Sequence, residues 1–299
     1  MEIEKSRELG LCFGVRRAIK LLKQAAGKYG KIETLGPIAH NQQLVQELAE
    51  MGISPVDELE QVKGRFLAIP THGVGPSVLD EIEARHIHII DSTCPIVSNA
   101  QNTIKRLTEA GFYVIVFGEA EHTEVKGLLG WAKNKAVAAL DVRQNAISSL
   151  LSAAEALTAN ELEESMHQDS LHRLGVISQT TQGWPAFVEF SRQLMAALPA
   201  KVEELTIVNT LCQTIQRRRE AAIELAKKVQ LMIVLGGHNS ANTRRLVAAC
   251  SPIVETYLVE RAGELDSSWL SGKQRVGIIA GASTPDKAVE EVVDKLKSL

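Results

Sequence analysis

The sequence predicts an α/β fold of three small lobes with mostly parallel sheets, on three observations. β-like apolar runs alternate with amphipathic helical stretches through most of the 299 residues, as strands joined by crossover helices require. Three of the four cysteines, Cys12, Cys94 and Cys212, each stand where a β-like run ends and a helical one begins. Each third of the chain holds two further strand ends that open through a polar loop into a helix. Hydrophobic residues at 45%, with 23% charged, supply enough apolar side chain for a real core.

Residues 1–94 are expected to form the first lobe. IEKSREL leads to Cys12 and the helix FGVRRAIKLL, TLGPIAHN carries His40 into QQLVQELAEMG, and FLAIPTHGV carries His72 into GPSVLDEIEARH. His86 and His88 flank the strand IHIID and read as structural. Cys94 precedes Pro95, and proline suits the first position of a helix, so Cys94 is expected at an N-cap.

The second lobe is expected over 95–209. FYVIVFGEAEHTEV brings His122 and Glu124 to a strand end, and LGVISQTTQGWP brings Thr180 and Thr181. Residues 141–173 break the rhythm and read as a polar, solvent-facing helical excursion, with His167 and His172 as surface histidines. The third lobe, 210–299, holds Cys212 before QTIQRRREAAIELAKK. LMIVLGGHNSANT then carries His238, Ser240 and Asn242, and VGIIAGASTP carries Ser283. The run Arg217, Arg218, Arg219 reads as a solvated or inter-lobe helix face, and Cys250 in RLVAACSP as a buried structural thiol.

Several classes are excluded. A net charge of −3 offers no basic surface for nucleic acid or an anionic membrane. No apolar stretch approaches the roughly 20 residues that span a bilayer. The start MEIEKSRELG lacks the apolar core of a secretory signal, and four cysteines in this pattern do not make a disulfide framework. A cytoplasmic location is expected.

Parallel sheets bind ligands at the carboxyl ends of their strands, and those ends could converge on one cavity. Three cysteines at helix N-termini, with no fourth equivalent, suit an iron–sulfur cluster with one iron open rather than zinc. His40, His72 and His122 with Ser240, Asn242 and Ser283 suit a phosphate or diphosphate, and the glycines of GGHNSAN and AGAS permit close backbone approach. Neither GxGxxG nor GxxxxGKS occurs. Glu124, two residues past His122, is a candidate proton relay or a first-turn helix glutamate.

Taken in order, LCFGVRRAI, GPIAHN, THGV, DSTCP, HTEVKG, SQTT, NTLC, GGHNSANT and AGASTP resemble the 4-hydroxy-3-methylbut-2-enyl diphosphate reductase family of the non-mevalonate isoprenoid pathway. The resemblance implies three lobes in pseudo-threefold arrangement around a central [4Fe–4S] cluster, one per chain, held by Cys12, Cys94 and Cys212. It implies diphosphate binding by His40, His72, His122, Ser240, Asn242 and Ser283. Glu124 would deliver protons, His122 would share in the relay, and Thr180 would stand near the substrate hydroxyl. The implied chemistry is reductive dehydroxylation to isopentenyl and dimethylallyl diphosphates, with ferredoxin or flavodoxin as electron donor. Departures from the family pattern are Ile215 for a threonine, Ala241 for a serine, and Asn99 and Gln101 for a frequently basic pair. The other readings are a three-lobed dehydratase of quinolinate-synthase type, which calls for carboxylate-binding arginines not seen at these strand ends, and a non-catalytic iron–sulfur sensor.

Overall fold

The structure, a computed structural model, describes residues 1–39, 41–156, 172–200 and 202–299. Its strands are β1 (Glu2–Lys5), β2 (Ile32–Leu35), β3 (Ile53–Val56), β4 (Phe66–Ile69), β5 (His88–Asp91) and β6 (Tyr113–Phe117), then β7 (Ala136–Ala139), β8 (Arg173–Ser178), β9 (Glu204–Ile207), β10 (Leu231–Leu235), β11 (Thr256–Val259) and β12 (Arg275–Ala280). Its α-helices are α1 (Phe13–Tyr29), α2 (Gln42–Glu50), α3 (Pro76–Ala84), α4 (Pro95–Glu109) and α5 (Thr123–Trp131), then α6 (Asn145–Ala156), α7 (Trp184–Ala197), α8 (Gln213–Ala226), α9 (Ala241–Cys250) and α10 (Asp286–Ser298).

The strands form three four-stranded sheets, ordered β3-β2-β4-β5, β7-β6-β8-β9 and β11-β10-β12-β1. Every described register is parallel, as crossover helices dictate. The three orders are one pattern: second strand, first strand, third strand, then the strand that leads to a cysteine. That last strand is always an edge. In the third sheet it is β1, from the opposite end of the chain.

Sheet membership therefore differs from the expected lobe boundaries of 1–94, 95–209 and 210–299 at the N-terminus. β1 pairs with β12, Lys5 opposite Ile278, and Ile3 and Leu9 pack on the core of the third sheet. A short parallel strand needs a free edge, and β12 supplies it.

Two compact units divide the chain: Met1–Thr71 with Ile89–Ser92 and Gln213–Leu299, and His72–His88 with Thr93–Cys212. The first unit carries the sheets of β2 and β10, and the second that of β6. Alternation along the strands builds the cores, because successive side chains face opposite sides. In β6, Ile115 and Phe117 pack on α7 (Phe187, Phe190), whereas Val114 and Val116 pack on α4 (Ile104, Leu107) and α5 (Val125, Leu128). In β10, Ile233 and Leu235 meet α10 through Val289 and Val292, while Met232 and Val234 meet α8 and α9 through Leu225 and Leu246.

Residues 141–173 are not wholly solvent-facing. Ile147 and Leu150 of α6 are buried in the same core as Phe117. His167 lies outside the described residues, and His172 is half-buried beside β8. Among the described residues, no helix is long and apolar enough to cross a membrane.

Candidate active site

The repeat places chemistry at fixed offsets. Five residues beyond the first strand of each sheet, after Leu35, Phe117 and Leu235, stand His40, His122 and Ser240; two residues further come Gln42, Glu124 and Asn242. Three residues beyond the third strand, after Ile69, Ser178 and Ala280, stand His72, Thr181 and Ser283. His40 lies outside the described residues. Its neighbour Asn41 caps α2, with Oδ1 accepting from Leu44 N at 2.8 Å.

In the second unit, His122 caps α5 through Nδ1, which accepts from Glu124 N at 3.2 Å. A ring nitrogen that accepts carries no proton, so the neutral ring holds its proton on Nε2. The Glu124 carboxyl is 3% exposed. Its Oε1 accepts from Thr180 N at 2.6 Å and its Oε2 from the Thr180 hydroxyl at 2.8 Å. Acceptance at both oxygens is the arrangement of an ionised carboxylate. The Thr180 carbonyl accepts from Cys212 N at 2.9 Å, which ties the Thr180 loop to a cysteine. His72 donates from Nδ1 to Gly73 O at 2.9 Å, and the next carbonyl, Val74, accepts from Gln101 Nε2 at 3.3 Å.

Gln179 was not singled out from the sequence, although SQTT contains it. It is fully buried, accepts from Glu119 N at 3.1 Å and donates to Thr181 Oγ1 at 2.9 Å, joining the His122 and Thr180 loops.

In the first unit, Ser240 caps α9 by accepting from Thr243 N at 3.3 Å. Asn242 is buried, and neither its Oδ1 nor its Nδ2 has a hydrogen-bond partner; the same holds for Thr243 Oγ1. Three unsatisfied polar atoms in the first turn of one helix are costly, and a bound anion there would repay the helix N-terminus and the amide together. Ser283 is buried just ahead of α10. The glycines expected to admit a ligand have another use: a Cβ on Gly236 would lie 2.7 Å from Thr243 Oγ1, and one on Gly281 would collide with the same hydroxyl. They make room for Thr243.

Cys12 is the N-cap of α1, its Sγ accepting from Val15 N at 3.5 Å; Cys94 is the N-cap of α4; Cys212 immediately precedes α8. All three are half-buried, whereas Cys250 is fully buried. Burial pushes the Cys250 thiol up to about 11, against an opposing pull from Arg219. The donor set thus fits a thiolate-held centre by its chemistry: three accessible sulfurs at helix starts, and a fourth kept protonated in a core. Cys12 belongs to the first unit and Cys94 and Cys212 to the second; among the described residues, no three His, Cys, Asp or Glu form a group that could hold a metal ion.

Other expectations fare unevenly. Ile215 and Ala241 are buried, and His238 is an exposed partner of Glu264 at 3.2 Å. His86 sits in a turn at φ 55°. Arg218 does not face solvent. It is buried at 2% exposure, because its position on α8 points at backbone carbonyls, while Arg217 on the same helix is exposed.

The LytB protein family model matches residues 3–297. The chain belongs to the LytB family. Over 299 residues this LytB chain is 42% identical to a protein of Dehalococcoides mccartyi strain 195 named 4-hydroxy-3-methylbut-2-enyl diphosphate reductase, covering 100% of this chain and 99% of the relative. A protein of the same name from Geobacter sulfurreducens is 36% identical, over 99% of this chain and 97% of its own length. A solved structure titled as that reductase, the terminal enzyme of the non-mevalonate pathway, superposes at a TM-score of 0.66 with 32% identity, covering 100% of both chains. A Plasmodium falciparum reductase structure shares the fold at a TM-score of 0.82 and 22% identity, over 99% of this chain and 88% of that one.

Proposed function

We propose that this LytB chain is a 4-hydroxy-3-methylbut-2-enyl diphosphate reductase. It removes the substrate's hydroxyl as water, with two electrons and two protons, to give isopentenyl and dimethylallyl diphosphates in the last step of the non-mevalonate pathway. The observation that carries this is the full-length kinship, at 42% identity, with a protein of that name. That kinship favours the reductase over a quinolinate-synthase-type dehydratase or a non-catalytic sensor.

Cys12, Cys94 and Cys212 would hold a [4Fe–4S] cluster, leaving one iron without a cysteine. When bound, the cluster supplies Lewis-acid and one-electron chemistry at the carbon bearing the hydroxyl.

The remaining work falls to the chain's own groups. His40, His72, His122, Ser240, Asn242 and Ser283 hold the diphosphate. Within that set the Asn242 amide brings a donor that no protein group uses. Thr180 gives its hydroxyl proton to Glu124 in the resting arrangement, so its oxygen lone pairs remain to accept from the substrate hydroxyl. Once Glu124 takes up a proton on Oε2, it becomes the donor to Thr180 Oγ1. The threonine proton then turns toward the substrate, and a buried carboxyl delivers a proton without solvent entering. The electron donor is ferredoxin or flavodoxin, and the location is the cytoplasm.

The test is an anaerobic assay of cluster-reconstituted protein with reduced viologen dye and the hydroxymethylbutenyl diphosphate. Substrate-dependent dye oxidation with both five-carbon products is expected. An intact cluster with no turnover would overturn the reading.

A further inference from the structure

Arg218 lies on α8 within the first unit and is the bulkiest of its fully buried side chains. Its Nη1 donates to Ala280 O at 2.7 Å and Gly281 O at 3.0 Å, and its Nη2 to Gly10 O at 2.9 Å. Gly10 precedes Cys12 by two residues, and Gly281 precedes Ser283 by two. The two segments leave neighbouring parallel strands, β1 and β12, whose ladder runs as far as Ser6 N donating to Ile278 O at 2.8 Å. They then part and meet again where Cys12 N donates to Ala282 O at 2.8 Å. Between those two rungs, among the described residues, no backbone bond joins the two segments. The guanidinium fills that gap.

We propose that Arg218 is a positioning residue that clamps the Cys12 loop to the Ser283 loop, so that a cluster ligand and a diphosphate ligand are set by one buried side chain. This rests on the reductase reading for the roles of Cys12 and Ser283; the clamp itself rests on the three carbonyl bonds. A planar fork of fixed N–H donors can serve three carbonyls in a way that a lysine ammonium cannot. The loop side is prepared as well. Gly10 has φ 73°, and a Cβ there would collide with the Asp286 carboxylate, so its carbonyl direction depends on glycine.

The experiment uses the full-length chain, with Arg218→Lys, Gly10→Ala, Ser283→Ala and the exposed control Arg217→Gln, each checked for native circular dichroism. The reduced, unreconstituted proteins are labelled with iodoacetamide and resolved cysteine by cysteine. Arg218→Lys is expected to speed labelling of Cys12 about tenfold, as local opening does, with Cys94 and Cys212 unchanged. Ser283→Ala and Arg217→Gln should leave Cys12 as in the wild type. After reconstitution, Arg218→Lys should raise KM about tenfold, change kcat much less, and alter the cluster's electron paramagnetic resonance spectrum. Ser283→Ala should raise KM with the spectrum intact. If Arg218→Lys does not fold, Gly10→Ala displaces the same carbonyl and should reproduce the Cys12 labelling. Unchanged Cys12 labelling in a folded clamp variant would overturn the clamp, whatever the activity. Faster Cys12 labelling in a protein whose wild type does not turn over would support the clamp and overturn only the reductase reading.

Discussion

Glu124 and Asn242 occupy the same position in two copies of one repeat, seven residues past the first strand of the sheet and inside the first turn of the next helix. Both are buried. Glu124 is committed on both oxygens, to the backbone and the hydroxyl of Thr180. Asn242 is committed on neither side-chain atom. Under the proposed reductase function, one scaffold position would serve two ends. A carboxyl locked by its own protein can hold and move a proton at a fixed point. An amide left without protein partners would keep its hydrogen-bonding capacity for a ligand, at a cost to the ligand-free protein.

The thiols sharpen this contrast most strongly. Replacing Cys12, Cys94 or Cys212 with Ser should sharply deplete iron after reconstitution, measured as iron per chain, while Cys250→Ser should retain it. Equal retention in all four would break the division between accessible and core sulfurs. Next, Glu124→Gln should keep the cluster and lower turnover about 10²–10⁴-fold, the range of a lost general acid; near-normal turnover would remove it as proton donor.

Stability separates the two positions further. Thr180→Val should destabilise the ligand-free protein by about 2 kcal/mol, because it strips one donor from a buried carboxylate. Asn242→Ala should leave ligand-free stability unchanged or raise it by about 1 kcal/mol, because it deletes an unsatisfied amide. Denaturant melts of the two variants should therefore shift in opposite senses or by clearly different amounts.

The last effect concerns pH. The folded-state value for Cys250, about 11, lies above the ordinary thiol value of 9.0, so the folded protein keeps the proton that the unfolded chain gives up. Its contribution is present below pH 9 and is lost as pH rises toward 11. By linkage, the stability of wild type relative to Cys250→Ala should fall by about 2–3 kcal/mol across that window.

Much of this was legible from the chain. The nine strands that lead into cysteines or polar loops all form; most carry apolar runs, whereas β1, EIEK, has a single isoleucine. β3, β7 and β11 were not foreseen: ISPV contains a proline and AVAA is alanine-rich, and short edge strands of this kind take their conformation from pairing rather than propensity. That β1 joins the sheet of β12 is a long-range pairing with no local signature. At the site, repeated strand–residue–helix settings singled out the cysteines and Asn242 as candidates; Glu124 was marked only by standing two residues past His122, and Thr180 took its proposed role from the family resemblance. Gln179 and Arg218 stayed hidden because their worth lies in which backbone groups they reach, and a basic triplet on a helix reads as a solvated or inter-lobe face until its middle member is found against three carbonyls.

The most direct test of the split between proton holder and anion holder is anaerobic calorimetric titration of the hydroxymethylbutenyl diphosphate into the reconstituted wild type, Glu124→Gln and Asn242→Ala. Glu124→Gln should bind within about threefold of wild type, and Asn242→Ala about 10–100-fold more weakly, as loss of one or two ligand hydrogen bonds implies. Equal affinities, or the weaker binding in Glu124→Gln, would contradict the division of labour between the two equivalent positions.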